Sequence, residues 1–329
     1  MRAIQIAELA GPDALRLVDL ADPRPDHFAS PGAGVVIDVH AAAVSFPDVL
    51  QSHGRYQFQP DLPFVPGGEV SGVVVEAAGA GDLRPGERVA AMSLIGGMAE
   101  RAVAPPHLTF RLDERMDFAA GAAFVLNYHT AYFALRMRGA VCEGERVLVH
   151  GAAGGLGTAA VQIARALGAH PVAVVSSDEK ERVAREAGAD QVVRSDGPWR
   201  EEVQRITGGG VDVVFDPVGG DRFTDSLRAL REDGRLLVVG FTGGSIPEVR
   251  VNRLLLRNIA VVGAGWGAYV LGKPDLCRQI GEELGRLVAT GDVRPIVGTR
   301  LPLDRAAEAM RLIEDRRAVG KVVLDVREG

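Results

Sequence analysis

The sequence is poor in cysteine, in net positive charge and in long apolar runs, and each shortage excludes a class of protein. Its two cysteines, Cys142 and Cys277, cannot build a disulfide framework or a four-cysteine zinc site. A net charge of −6 at pH 7 argues against a nucleic-acid-binding surface. No apolar run reaches the length of a membrane span, and the amino-terminal residues alternate and carry charges, unlike a signal peptide. We therefore expect a cytoplasmic protein with no nucleic-acid or membrane partner.

Two hydropathy patterns divide the chain of 329 residues. Up to about residue 115, short branched apolar runs such as "GVVIDVHAAAV" are separated by turns rich in Gly and Pro, which is typical of β-strands. From residue 147 onward, strand-like runs alternate with helix-like runs, as in "VLVHG" followed by "GTAAVQIARALG". This alternation indicates βαβ crossovers. The sequence thus predicts an α/β protein: a β-rich part, a doubly wound domain with a parallel sheet, and a return segment.

A glycine-rich turn in "VLVHGAAGGLGTAAVQIARALGA" (147–169) connects a predicted strand to a predicted helix of 12 residues. Against the dinucleotide fingerprint the turn reads Ala152-x-Gly154-x-x-Gly157, with alanine in place of the usual first glycine. The amino terminus of a helix offers unpaired N–H groups and a partial positive charge, which suit a pyrophosphate. We therefore predict that Ala152, Gly154, Gly155, Leu156 and Gly157 bind the pyrophosphate of a dinucleotide. The alternative is a tight turn that needs small residues and binds no ligand.

The end of the next predicted strand, "PVAVVSS", bears on which dinucleotide binds. In NAD-binding domains an acid about 20 residues past the turn accepts the ribose 2′-hydroxyl, but this strand ends at Ser176. Ser176, Lys180 one helical turn later, and Arg194 at the end of the third strand suit the 2′-phosphate of NADPH. Asp178 and Glu179 oppose this interpretation, and Ser176 with Glu179 also fits a helix capping box.

Two further glycines follow predicted strands of the same region. Gly219 follows the fourth strand, and Gly240 with Phe241 follows the fifth. Ligands of doubly wound folds bind at the carboxyl ends of the strands. We therefore add Gly219, Gly240 and Phe241 to the predicted cofactor site.

Four motifs together resemble a known family: "SFPDVLQSHGRYQFQPDLPFVPGGEVSGVV" (45–74), "GDLRPGERV" (81–89), "VLVHGAAGGLG" (147–157) and "DPVGG" (216–220). The sequence is similar, over essentially its whole length, to the medium-chain dehydrogenase/reductase superfamily and specifically to its zinc-free quinone oxidoreductase branch. The resemblance implies a GroES-like catalytic domain at 1–121, completed by 265–329, and a Rossmann NADP-binding domain at 122–264. It also implies a homodimer in which strands near 258–263 extend one sheet across two subunits.

The resemblance also bears on the metal and the substrate. Zinc-dependent relatives carry Gly-His-Glu where this chain has Gly67-Gly68-Glu69, and a cysteine where it has Ser45; their four-cysteine lobe is missing here. Because a catalytic zinc needs such ligands, we expect no metal. Without a Lewis acid, the substrate would be a quinone or another conjugated carbonyl that accepts hydride at carbon unaided.

Several side chains acquire expected roles from the resemblance. Tyr56 stands where related enoyl reductases carry a tyrosine near the nicotinamide, so its phenol would donate a proton to the enolate; packing at a domain edge is the alternative. Ser45 is assigned to catalysis with Tyr56. Thr130 would face the nicotinamide end of the cofactor. Lys321 matches a position where relatives place a basic residue on the pyrophosphate, and a solvent-exposed lysine is the alternative.

Two acids near these residues are interpreted as structural. Asp48 is expected to cap the helix that "PDVLQSHG" suggests, and Glu69 is expected to bond to backbone.

The sequence as a whole predicts an NADPH-dependent reductase of quinones or α,β-unsaturated carbonyls. Two alternatives stay open. One is a reductase of enoyl thioesters (enoyl-CoA or enoyl-acyl-carrier protein), which Tyr56 favours. The other is a catalytically inactive NADPH-binding scaffold, which Ser45 would support.

Overall fold

The computed structural model describes residues 1–25, 33–79, 81–270 and 272–327, and these form two units. The first unit consists of Met1–Leu126, Pro274–Gly281 and Pro295–Gly329, and the second of Asn127–Lys273 and Glu282–Arg294. The first unit consists mainly of strands, and helices and strands alternate along the second unit.

The strands of the described residues are β1 (Arg2–Ile6), β2 (Leu15–Asp19), β3 (Gly34–Val44), β4 (Glu69–Ala78), β5 (Arg88–Met92), β6 (Arg101–Ala104), β7 (Thr109–Arg111), β8 (Arg146–His150), β9 (His170–Val175), β10 (Gln191–Arg194), β11 (Val211–Asp216), β12 (Leu230–Val238), β13 (Ala260–Gly263), β14 (Val297–Pro302) and β15 (Lys321–Asp325).

The α-helices are α1 (Phe46–Ser52), α2 (Phe118–Ala122), α3 (Val125–Tyr132), α4 (Gly155–Ala166), α5 (Asp178–Glu186), α6 (Trp199–Thr207), α7 (Phe223–Ala229), α8 (Asn252–Leu255), α9 (Trp266–Val270), α10 (Pro274–Thr290) and α11 (Ala306–Glu314). Helix α3 continues as a π-helical segment, Phe133–Arg138. No helix among the described residues is long and apolar enough to cross a bilayer.

The first unit is built on a sheet with the strand order β14-β15-β3-β4-β5-β7, and β6 also pairs with β3. Strand β3 lies antiparallel to both of its neighbours β4 and β15, with Ala43 opposite Glu69 and Val44 opposite Val322. The carboxyl end of β3 therefore meets the amino ends of β4 and β15 at one end of the sheet. Apolar side chains such as Ile37 and Leu324 are fully buried in the core of this unit.

The second unit contains a six-stranded parallel sheet with the order β10-β9-β8-β11-β12-β13. This is the strand order 3-2-1-4-5-6 of the Rossmann fold, whose crevice lies where the order reverses, here between β8 and β11. The carboxyl ends of parallel strands share one edge, so the segments after β8, β9, β10, β11 and β12 come together there. The predicted fold class, a GroES-like β-rich domain with a Rossmann domain, is confirmed.

Candidate active site and cofactor site

The glycine-rich turn leads from β8 into α4, and the helix has the predicted length of 12 residues. Gly154 is the residue before the first helical turn, and no side chain caps that end. The N–H groups of Gly155, Leu156 and Gly157 are therefore the ones that lack an intrahelical partner. Unpaired donors and the positive end of the helix dipole together suit an anion.

The glycines of this turn differ in whether neighbouring atoms leave room for a side chain. A Cβ at Gly157 would collide with the carbonyl oxygen of Gly151 and lie 2.6 Å from the Cα of Ala152, so the helix packs directly on the turn. At Gly154 a Cβ would meet only the Gly151 oxygen, at 3.6 Å, and φ is −82°. The fold itself therefore permits a side chain at Gly154. The space that its Cβ would fill fits the pyrophosphate of a dinucleotide, which the backbone can approach closely only at glycine.

Ala152 replaces the first glycine of the fingerprint without strain. Its side chain is fully buried, and its N–H donates to the carbonyl of Val174 on β9 at 3.4 Å. The turn thus has room for this methyl group on the protein side.

The three residues predicted for a 2′-phosphate come together at the ends of β9 and β10. Ser176 directly follows β9, and Arg194 is the last residue of β10. The ammonium of Lys180 donates to Ser176 Oγ at 3.3 Å, and Arg194 Nη2 donates to the Ser176 carbonyl at 3.1 Å. Partial burial lowers the pKa of Lys180. One hydroxyl and two cations therefore share a small region of the second unit.

The residue that caps α5 is Ser177, not Ser176. The hydroxyl of Ser177 accepts from the N–H of Lys180 at 3.2 Å. The suggested capping box of Ser176 with Glu179 is wrong by one residue, because α5 begins at Asp178 and the residue before it is Ser177. The Ser176 hydroxyl is consequently not used in capping.

The segments after β11 and β12 also contact the region of the turn. A Cβ on Gly151 would lie 3.7 Å from Val218, and a Cβ on Gly219 would lie 3.0 Å from the ring of Phe241. Gly219 has φ +63° and its N–H donates to Asp216 Oδ1 at 2.9 Å. Phe241 is 37% exposed, so its ring is accessible beside these backbone segments. Gly240 packs on the Pro217 carbonyl, where a Cβ would approach to 3.2 Å.

The polar residues of α3 are packed to different degrees. Thr130 is partly exposed, whereas Asn127 and His129 are buried. Among the described residues, the Nδ2 atom of Asn127 is buried and has no hydrogen-bond partner. The ring of His129 lies 5.3 Å from that of Trp266.

Ser45, Glu69 and Lys321 meet in the first unit, where the ends of three neighbouring strands converge. Lys321 Nζ donates to Ser45 Oγ at 2.7 Å and forms an ion pair with Glu69 Oε2, and Ser45 Oγ lies 3.0 Å from the same carboxylate oxygen. Lys321 is 4% exposed and Glu69 is 1% exposed, while Ser45 is partly exposed. The alternative of a solvent-exposed lysine is therefore wrong, and Ser45 is the member of this cluster that reaches the surface of the unit.

Two acids in this region have the structural contacts that were expected. Glu69 Oε1 accepts from the N–H of Leu126 at 2.8 Å, and Asp48 completes the capping box of α1 by accepting from the N–H of Ser45 at 2.7 Å. Asp48 also accepts from the N–H of Gly67 at 3.2 Å. Desolvation raises the pKa of the buried Asp48 carboxyl to about 6.

Tyr56 lies in the segment that follows α1 and is half-buried. Burial, and to a smaller extent the charge of Asp48, raise the pKa of its phenol. The side chain therefore keeps its proton at neutral pH, as a proton donor must.

The side chains at the positions of the zinc ligands do not suit a zinc ion. Gly68 has no side chain, and the hydroxyl of Ser45 already receives a hydrogen bond from an ammonium group. In the part of the chain that the structure describes, no three His, Cys, Asp or Glu side chains group as a metal site would require.

Sequence reasoning missed the ion pair of Lys321 with Glu69, although both residues had been singled out. It also missed that Asp178 and Asp196 both contact Arg194. The only sequence signal for the latter was the position of two acids close to the ends of β9 and β10.

Comparison with known proteins places this chain in a class. A family described as the GroES-like domain of alcohol dehydrogenases matches residues 31–114, and one described as zinc-binding dehydrogenase matches residues 155–280. Together with the GroES-like sheet and the Rossmann unit, these matches define a medium-chain dehydrogenase/reductase.

Individual relatives narrow the class. The chain is 36% identical to quinone oxidoreductase-like protein 2 of Bos taurus, over 99% of this chain and 93% of the relative. A crystal structure of a probable oxidoreductase from Mycobacterium abscessus is 42% identical, with a TM-score of 0.88 and 99% of each chain covered. A quinone oxidoreductase from Thermus thermophilus, solved also as its complex with NADPH, is 36% identical, with a TM-score of 0.83 and coverage of 99% and 100%. The chain belongs to the quinone oxidoreductase branch of the medium-chain dehydrogenase/reductase superfamily.

Proposed function

We propose that this protein is an NADPH-dependent oxidoreductase that reduces quinones. The observation that carries the proposal is the convergence of Ser176, Lys180 and Arg194, which offers a hydroxyl and two cations to a 2′-phosphate. Strand β9, which Ser176 follows, pairs with β8, which leads into the glycine turn. The bovine relative and the Thermus thermophilus relative support the same activity by their names, and the latter binds NADPH.

The chain's own residues would hold the cofactor at two points. The N–H groups of Gly155, Leu156 and Gly157 would bind the pyrophosphate, because the start of α4 presents unpaired donors there, and Ala152 and Gly154 would line the turn beside it. The remaining predicted contacts of the second unit are assigned to the same ligand: Thr130, Gly219, Gly240 and Phe241. Lys321, whose ammonium contacts Glu69 and Ser45, would act through Ser45 instead. When bound, NADPH supplies a hydride.

Tyr56 and Ser45 would serve the acceptor. Tyr56 would hold a proton at its phenol oxygen and donate it to the oxygen of the reduced substrate. The hydroxyl of Ser45, which contacts Lys321 and Glu69, would make a polar contact with the same substrate oxygen.

The acceptor would be a conjugated carbonyl compound, a quinone or an α,β-unsaturated ketone, and the reaction would need no zinc. The support is the donor set at the zinc position, where Gly68 has no ligand atom and the Ser45 hydroxyl already contacts an ammonium. Without a metal to polarise the carbonyl, the acceptor must be electrophilic by its own conjugation.

A substrate panel tests the function. The purified protein is given NADPH or NADH with quinones, enones and enoyl thioesters, and the loss of the reduced-nicotinamide absorbance is followed. We expect turnover with NADPH and quinones. Preference for enoyl thioesters would favour the alternative reductase, and tight NADPH binding without any turnover would favour a scaffold.

The protein would form a homodimer through β13, an edge strand of the parallel sheet as far as the structure describes it. Large apolar side chains are exposed just before this strand, with Val251, Leu255 and Leu256 each more than 70% exposed. Exposed apolar patches of this kind mark association surfaces.

Sedimentation tests the dimer. The variant Leu255→Arg is expected to sediment as a monomer, and Met137→Lys, which changes another exposed apolar residue, is the control. We also propose that the protein is located in the cytoplasm.

A further inference from the structure

Arg194 makes contacts that a 2′-phosphate site does not need. Its Nη1 atom forms an ion pair with Asp178, and its Nη2 atom lies 3.1 Å from Asp196 Oδ2. The side chain of Asp178 is 96% exposed and that of Asp196 is 63% exposed, whereas that of Arg194 is 38% exposed. Its Nε atom is buried and has no hydrogen-bond partner among the described residues. Two exposed acids thus neutralise one of the two cations that would hold the phosphate.

We propose that Asp178 and Asp196 are specificity-determining residues, which compete with the 2′-phosphate of NADPH for Arg194 and so weaken the preference for NADPH over NADH. The inference rests on the proposed function. A guanidinium binds a phosphate through the same pair of N–H groups that bind a carboxylate. For Arg194 to bind the phosphate, at least one carboxylate must give up its contact and then stand close to a dianion.

The positions of the acids explain how they can be displaced. Asp178 is the first residue of α5, after the cap Ser177, where the partial positive charge of the helix end stabilises a carboxylate. Its charge therefore remains compensated in part when Arg194 turns to the phosphate. Neither acid takes part in the hydrogen bond between Lys180 and Ser176.

The same carboxylates suit the other cofactor. In NAD-binding domains a carboxylate at the end of the second strand accepts the ribose 2′-hydroxyl; here Asp178 begins the helix after that strand and Asp196 follows the third strand, and both contact Arg194 beside Ser176. When the ligand has a hydroxyl in place of the phosphate, Asp178 or Asp196 can accept its hydrogen. The acids therefore reduce the discrimination in two ways, by opposing the phosphate and by accepting the hydroxyl.

Calorimetric binding of two cofactor fragments tests the proposal without catalysis. The probes are adenosine 2′,5′-bisphosphate and adenosine 5′-monophosphate, and the variants are Asp178→Asn and Asp196→Asn. The matched control is Glu186→Gln, which removes the same charge from the last residue of α5. Two unit charges about 4 Å apart in water correspond to roughly a fivefold change in affinity. We expect each Asn variant to bind the bisphosphate about fivefold more tightly than the wild type, with no gain for the monophosphate and no gain in the control. The gain should shrink in high salt.

The outcomes separate this inference from the proposed function. If the wild type and both Asn variants all bind the two fragments equally tightly, the 2′-phosphate site is refuted and this inference falls with it. If the wild type prefers the bisphosphate but both Asn variants bind it as the wild type does at low salt, the proposed function stands and the role of the acids is refuted. An equal gain in Glu186→Gln would show an effect of net charge alone and would also refute it.

Discussion

Gly154→Ala separates the needs of the fold from the needs of the ligand. A Cβ at Gly154 meets only one atom, at 3.6 Å, and the backbone is in an ordinary region at φ −82° and ψ 172°. Alanine is less favourable than glycine before a helix by up to about 1 kcal/mol. It also restricts the unfolded chain, which contributes about 0.4–1 kcal/mol in the opposite direction. The free energy of unfolding should therefore change by less than about 1 kcal/mol.

The effect on the cofactor should be much larger. The new methyl group would stand where the backbone must approach the pyrophosphate, and hydrogen bonds to a charged group contribute about 1.5–3 kcal/mol. Loss of one such bond weakens NADPH binding by roughly 10- to 150-fold. Fluorescence titration with NADPH measures the affinity, and thermal melting without ligand measures the stability.

Two further variants complete this experiment. Gly285→Ala adds a methyl group within α10, where nothing lies within 4 Å, and should leave NADPH binding unchanged. Gly157→Ala should damage the fold, because its Cβ would collide with the Gly151 carbonyl. An unchanged affinity of a well-folded Gly154→Ala for NADPH would refute the assignment of this turn to the pyrophosphate.

Four other perturbations have expected outcomes. Lys321→Met leaves the carboxylate of Glu69 buried without its cation, so urea unfolding should show a loss of about 3–5 kcal/mol; a loss below about 1 kcal/mol would contradict the buried pair. Tyr56→Phe should lower turnover of enones by about 10²–10⁴-fold and NADPH affinity little, and unchanged turnover on every acceptor would reduce Tyr56 to packing. Burial lowers the pKa of His150 to about 4, so the unfolded chain binds the proton first as the pH falls below about 6.5. The free energy of unfolding should then decrease by about 3 kcal/mol as the pH falls from about 6.5 to about 4. Thermal melts of His150→Gln should lack this pH-dependent loss. Elemental analysis should find no stoichiometric zinc, and chelators should leave quinone reduction intact; loss of zinc together with activity would refute the metal-free reaction.

The strand, turn and helix around the glycine-rich turn could be predicted because their signals are local. Strand, turn and helix follow one another between Arg146 and Ala166, so spacing alone predicted a helix of 12 residues, as found. Ser176 and Arg194 were linked by one further rule, that neighbouring parallel strands end at the same edge. The cap of α5 was misplaced by one residue because Ser176 and Ser177 are chemically identical. Both serines follow the end of β9, and only the start of α5 at Asp178 distinguishes them.

The cluster in the first unit could not be predicted in the same way. Lys321 and Glu69 are 252 residues apart, and Lys321 and Ser45 are 276 residues apart. They meet only because β15 pairs with β3 in the register that sets Val322 opposite Val44. Nothing near Lys321 in "AVGKVVL" indicates that register, and a lysine at the start of a strand is usually exposed. The resemblance to known enzymes drew attention to Lys321 but not to its partner.

The burial of this ion pair argues for a use beyond stability. Removing two charges from water costs several kcal/mol per ion, and an apolar pair of similar volume is often equally stable or more so. The fold therefore gains little from Lys321 and Glu69 as such. What the pair does provide is a fixed positive group 2.7 Å from the Ser45 hydroxyl. Ser45 is the member of the three that reaches the surface. The buried charges of Lys321 and Glu69 both contact its hydroxyl and therefore determine how that hydroxyl is oriented.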